Sequence, residues 1–235
     1  MIPDKYLYLS IDLLSLLFPL LFSFYPKANF SNKWKYLWPS IMLTATVFIL
    51  WDVLFTSMGV WGFNPRYLTG ISFINLPIEE VLFFICIPYA CIFTYEAVGY
   101  FIKKKPSDNF EQYVTYLLVF FLLTSGLLNL GKWYTASTFL SCSLFLIYLK
   151  TKVKPDYLGK FYLSFLFILI PFFIVNGILT GTGIEEEVVH YNNEENLGIR
   201  MGTIPVEDVF YGMLLLLMNV SIFETLQRKS QSTLA

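Results

Sequence analysis

The sequence predicts an all-α integral membrane protein of seven transmembrane helices, arranged as two parallel three-helix repeats plus a connector helix. Three observations predict it. The first is composition: of 235 residues, 56% are hydrophobic and only 14% are charged, with a mean hydropathy of +0.61. Soluble domains carry about 25% charged residues, so a soluble enzyme, a nucleic-acid partner and a disordered chain are all disfavoured. The second is that seven stretches approach the roughly 20 apolar residues needed to cross about 30 Å of hydrocarbon. The third is that cations alternate between the stretches that join them.

The first span covers 5–25. It contains Asp12 and Pro19, is too long for a signal-peptide core and lacks a small-residue cleavage site. The second, 37–58, holds Asp52, and the third, 76–102, opens on Pro77-Ile78-Glu79-Glu80. The fourth and fifth, 112–130 and 133–150, are separated only by Gly131-Lys132. The sixth, 159–180, carries Asn176 near one end, and the seventh, 205–226, opens on Pro205-Val206-Glu207-Asp208. Pro19, Pro88 and Pro171 fall inside spans, where each removes a backbone hydrogen bond and bends the helix. Cys86, Cys91 and Cys142 lie in apolar runs and read as small core residues.

With seven spans, one side receives Lys27, Lys33, Lys35, Lys103, Lys104, Lys105, Lys150, Lys152, Lys154, Lys160, Arg228 and Lys229, and the other only Lys5, Arg66, Lys132 and Arg200. An excess of cations marks the cytoplasmic side. The N-terminus is therefore expected outside and the C-terminus in the cytoplasm, across the inner or plasma membrane of the cell.

The chain repeats itself at an offset of 128: Gly70-Ile71 matches Gly198-Ile199, and Pro77 to Val81 matches Pro205 to Val209. The expected organisation is a first repeat over 1–102, a connector over 103–132 and a second repeat over 133–235. Three spans plus one connector leave both repeats in the same orientation. Both Pro-x-Glu-acid motifs then begin a helix at the outer face. Proline suits a first helical turn and acidic side chains complement its dipole, so two well-capped helix starts would account for the motifs alone.

Other polar groups share that layer. Asp12 and Asp52 lie roughly 10 Å into their spans from the outer end at 1.5 Å per residue, and Asn129 and Asn176 sit near the outer ends of theirs. An acidic side chain deep in a span costs roughly 2.5–3.5 kcal/mol to insert, so it faces a cavity or a partner. Glu79 and Glu80 are adjacent and point about 100° apart on a helix. One is expected to face a cavity and the other a neighbouring helix, with Glu79–Glu207 and Glu80–Asp208 as corresponding pairs. Carboxyls in different environments supply separate acid and base roles. Glu79, Glu80, Glu207, Asp208 and Asp52 are the catalytic candidates. Asp12, Phe83, Phe84, Tyr211 and Asn176 are the candidates for lining a substrate site, the rings being able to stabilise a cation by about 2 kcal/mol when desolvated. Glu96 and Glu224, near the other end, read as interfacial charges. The run from Glu185 to Glu195, which holds the single His190, reads as a solvated loop. No nucleotide, flavin or zincin motif occurs.

In these residues the sequence resembles the integral-membrane, flavin-independent lycopene cyclase family, in the fused tandem form of its heterodimeric members. The likeness rests on the two Pro-x-Glu-acid copies, on Phe63-Asn64-Pro65-Arg66-Tyr67 leading into the first, and on the three-one-three layout. The second copy departs from it, with His190-Tyr191-Asn192-Asn193-Glu194 in place of that turn. The resemblance implies a redox-neutral lycopene beta-cyclase that needs no cofactor. Its substrate would be lycopene or a related acyclic carotenoid taken from the bilayer. An acid protonates a terminal double bond, the carbocation closes a six-membered ring, and a base removes a proton to leave a β-ionone ring. The chemistry suits the residues, because alkene protonation needs a dry acid, and the cation needs a carboxylate and aromatic faces away from water.

A membrane transporter of the same three-one-three layout is the alternative. It would need a polar path to both faces, whereas here the polar residues crowd the outer half. A retinal-type protein lacks its Schiff-base lysine in the seventh span. A prenyltransferase would want paired aspartates, and Asp12 and Asp52 each stand alone.

Overall fold

The computed structural model describes residues 3–26, 29–104 and 106–234, so Lys27 and Lys105 of the cation pattern lie outside the described residues. Seven helices follow one another: α1 (Leu7–Phe22), α2 (Trp34–Met58), α3 (Ile78–Phe101), α4 (Asp108–Leu128), α5 (Trp133–Tyr148), α6 (Leu158–Leu179) and α7 (Val206–Leu234). Between them run short extended segments, β1 (Trp61–Phe63), β2 (Ser72–Phe73), β3 (Leu76–Pro77), β4 (Val189–Tyr191), β5 (Arg200–Met201) and β6 (Ile204–Pro205). Six helical stretches, all but the one at α5, are long and apolar enough to cross a bilayer, and the chain is that of an integral membrane protein. α5 has 16 residues, about 24 Å of helix. It runs on through a π turn, Leu149–Val153, which adds five residues before Pro155 stops it.

The connection between the fourth and fifth helices is short but well made. Asn129 Nδ2 donates to the Ser125 carbonyl (2.8 Å), and the Lys132 N–H bonds the Asn129 carbonyl (2.9 Å). α4 and α5 approach closely at Gly126, where a Cβ would come within 2.9 Å of the Leu140 side chain. Gly126 is what permits that contact.

The repeat is visible atom by atom. β2 and β3 form a hairpin pairing Ser72 with Pro77 and Phe73 with Leu76, and β5 and β6 pair Arg200 with Pro205 and Met201 with Ile204, each position 128 later. The Ile78 N–H bonds the Ile71 carbonyl (2.9 Å), and the Val206 N–H bonds the Ile199 carbonyl (3.0 Å). Gly70 and Gly198 take φ of 87° and 71°, a left-handed conformation that glycine adopts without a Cβ penalty. The turn that seemed lost from the second copy persists. Asn64 Oδ1 accepts the Arg66 N–H (3.1 Å), and Asn192 Oδ1 accepts the Glu194 N–H (3.0 Å). An asparagine two residues ahead of an N–H suffices for this turn, whatever follows it.

The chain forms two compact units, Met1–Tyr100 with Leu215–Ala235, and Phe101–Leu214, so α7 is divided between them at Leu214. In the first unit Phe30, Leu37, Ile41, Tyr89, Ile92 and Phe223 make a buried cluster. The Tyr89 hydroxyl is held by Ser23 Oγ (2.7 Å) and Trp34 Nε1 (3.0 Å), which satisfies the one polar atom of an otherwise apolar packing site. Glu96 pairs with Lys33, and Glu224 accepts the Tyr95 hydroxyl (2.5 Å). In the second unit Lys150 pairs with Glu111 at 2.7 Å.

Candidate acid–base sites

Each unit holds one cluster of buried carboxyls. In the first, Glu79 and Glu80 occupy the opening turn of α3, Asp12 lies in the middle of α1, and Asp52 lies in the last two turns of α2. Asp12 and Glu79 are fully buried, and Asp52 is 1% exposed. Glu79 Oε1 accepts the Thr69 N–H (2.7 Å), drawn from the loop that turns into the hairpin. Glu80 turns the other way and accepts the Tyr8 hydroxyl (2.5 Å). Asp52 accepts the Trp61 indole N–H and the Thr56 hydroxyl (3.3 Å). Asp52 and Glu80 are neighbours close enough to act on each other. Asp12 is close enough to Glu79 and Glu80 for their charges to repel.

Four buried carboxyl oxygens in this cluster have no donor among the described residues: both of Asp12, Asp52 Oδ2 and Glu79 Oε2. Buried acceptors are normally satisfied, because an unpaired one costs about 1–3 kcal/mol. Two carboxyl groups that come close can share a proton, the protonated one donating to the other.

The second cluster is built on the same plan with different neighbours. Glu207, fully buried, accepts the Leu197 N–H (2.8 Å), the counterpart of the Thr69 contact, and also the Thr135 hydroxyl (2.6 Å). Asp208, 5% exposed, accepts two phenols, Tyr134 (2.5 Å) and Tyr191 (2.9 Å). The Tyr134 and Tyr191 rings stack at 5.8 Å, and Tyr211 meets Tyr134 edge-on at 6.1 Å. The Arg200 guanidinium lies over the Tyr191 ring, 5.4 Å from its centroid, and places a positive charge near enough to act on Asp208. Only Glu207 Oε2 is a donorless buried carboxyl oxygen in this cluster. The Tyr134 phenol on Asp208 is the counterpart of the Tyr8 phenol on Glu80, a register that places Thr138 at the position of Asp12.

The remaining candidates fall as follows. Phe84 is buried and packs on Phe48 (6.1 Å), while Phe83 is half-buried with its ring edge-on to Tyr8 (6.2 Å), one turn below the carboxyls. Asn176 turns its amide back onto the Phe172 carbonyl of its own helix (3.2 Å). Beside it a cavity of about 330 Å³ opens, lined by Phe173, Gly177, Met201 and Thr203 among others, and neither Glu207 nor Asp208 lines it. The acidic loop is more than a solvated surface. Glu195 accepts the Trp133 N–H with its side chain (2.9 Å), and its carbonyl takes the Tyr134 N–H (3.0 Å), so it caps α5. No group of three or more His, Cys, Asp or Glu among the described residues is arranged to hold a metal ion.

Sequence reasoning passed over Tyr8, Trp61, Tyr134, Thr135 and Tyr191. Tyr8 sits four residues before Asp12, on the same helix face, and that spacing was a usable signal. Tyr134 and Thr135 open α5 and meet the acids that open α7. Extending the 128-residue offset into the loop places Tyr191 at the position of Phe63, which is how it could have been found.

A family model described as lycopene cyclase matches residues 5–98 and again 131–226. The two matched segments are the two repeats. No curated protein and no solved structure matches the chain.

Proposed function

This chain belongs to the lycopene cyclase family, whose members cyclise carotenoids, and we propose that it is a lycopene beta-cyclase working by redox-neutral acid–base chemistry on a substrate drawn from the bilayer. The observation that supports it most is the set of donorless carboxyl oxygens in the first cluster. Buried carboxyls gathered in one cluster can share protons. Protons so held, shielded from water, are what protonation of an alkene requires.

The chemistry balances without an oxidant or reductant. A carboxyl proton adds to the terminal double bond of a ψ end and leaves a tertiary carbocation. The π electrons of the neighbouring double bond form the ring-closing carbon–carbon bond. A carboxylate takes one proton from the ring, whose double bond forms in the β position. One proton enters and one leaves per ring, so the product is an isomer.

Asp52 and Glu80 form the proton-bearing pair, with Asp12 and Glu79 completing the cluster. Asp208, held by the Tyr134 and Tyr191 phenols, and Glu207 make up the second carboxyl cluster. Carboxylate charge and aromatic rings stabilise cationic carbon, Phe83 and Phe84 beside the first cluster and Tyr211 beside the second. The cation asymmetry favours an orientation with the N-terminus outside.

The test is expression in a bacterium that accumulates lycopene, with pigments separated by chromatography. The wild-type chain should yield β-ionone rings, and Glu80→Gln should leave lycopene unconverted. An ε-ring product would overturn the beta assignment. Full conversion by Glu80→Gln would remove that residue from the chemistry.

A further inference from the structure

The β2–β3 hairpin ends in apolar side chains with no protein around them. Ile71, Phe73 and Ile74 are 63%, 50% and 69% exposed. Ile74 has a φ of 59°, a left-handed conformation in which a β-branched side chain is strained. At the corresponding position of the second hairpin stands Gly202, which takes a φ of 66° without that strain. That hairpin is also more polar, with Arg200 where the first has Ser72. A strained, branched, apolar residue at an exposed turn makes no sense in water.

The hairpin is fastened to a helix that faces lipid. Asn75 Nδ2 donates to the Val53 carbonyl of α2 (2.9 Å), and α2 and β3 touch. Val53 is flanked on α2 by Leu50, Leu54 and Met58, themselves 61%, 53% and 42% exposed. α2 lies within one of the stretches long and apolar enough to span a bilayer, Phe30–Met58. Its bare apolar face is therefore continuous with the bare apolar tip of the hairpin.

We infer that the β2–β3 hairpin is a lipid-embedded wedge, with Phe73 and Ile74 set among acyl chains at the outer boundary of the bilayer rather than in an aqueous loop. The occupant of the patch is lipid hydrocarbon. The wedge would anchor the loop whose Thr69 N–H holds Glu79.

Spin labels on Phe73→Cys and Ile74→Cys test this, in the full chain reconstituted into phosphatidylcholine–phosphatidylglycerol vesicles. Leu54→Cys serves as the lipid reference and Glu186→Cys, in the exposed acidic loop, as the aqueous one. The native Cys86, Cys91 and Cys142 are buried, and the unsubstituted chain gives their labelling background. The ratio of collisions with oxygen to collisions with a water-soluble nickel chelate should be several-fold higher at 73 and 74 than at 186, and close to that at 54. A ratio nearer the aqueous reference at 73 overturns the inference. Phe73→Cys decides alone if strain at 74 prevents that variant from folding. The outcome is independent of the acid–base reading, which would survive a water-exposed hairpin.

Discussion

The two repeats share a backbone plan and differ in what surrounds their acids. Glu79 and Glu207 each take the N–H ten residues upstream, from Thr69 and Leu197, at 2.7 and 2.8 Å. Around that common frame the first repeat gathers four carboxyls, a phenol and an indole. The second gathers two carboxyls, three phenols, a threonine and a nearby guanidinium. The first cluster has more acceptors than donors, and the second is close to balanced. Duplication supplied one scaffold twice, and Asp12 and Asp52 beside one pair of acids, Thr135 and Tyr191 beside the other, make its halves chemically unequal. A reaction that must first give a proton and then take one has use for that inequality.

The contrast can be broken most directly at its acid. Glu80→Gln should reduce ring formation by a factor on the order of 10²–10⁴, the usual worth of a positioned proton donor, read from the lycopene-to-product ratio at early times. A larger loss from Asp208→Asn than from Glu80→Gln would reverse the assignment of the acid. Asp12→Leu removes one carboxyl of the first cluster and should lower conversion in the same pigment assay, by less than Glu80→Gln does.

Tyr8→Phe takes the phenol from Glu80 and should slow conversion about tenfold, the equivalent of about 1.4 kcal/mol for one lost hydrogen bond to a carboxyl. Tyr134→Phe should do less in the same pigment assay, since Tyr191 still donates to Asp208. The smallest effect is expected at Thr135→Val, about 1 kcal/mol of destabilisation from one lost hydroxyl contact to Glu207. Thermal unfolding of the Thr135→Val protein measures it.

Much of this was legible before any coordinates. Pro77 and Pro205 with their acidic successors marked the helix starts, because a proline and a carboxylate at that point have a local physical reason to be there. The divergence of Glu79 from Glu80 followed from helical geometry alone. The persistence of the turn at Asn192 did not, because its neighbours had changed while the asparagine that makes the turn had not. Tyr134 and Tyr191 were hidden for another reason. Among 16 tyrosines, only the partner of each hydroxyl separates a ring packed against lipid from a ring that holds an aspartate.

Composition, cation placement and the internal repeat determined that this is a duplicated set of membrane helices with an acidic helix start in each copy. Those are properties of solvent preference and of local backbone, and each can be read along the chain. Tertiary structure alone decided which oxygen meets which donor, that Asp52 reaches Glu80, and that Asp12 is left with none. Such pairings join residues tens of positions apart, and hydrogen bonds act over about 3 Å, a scale that no linear pattern records.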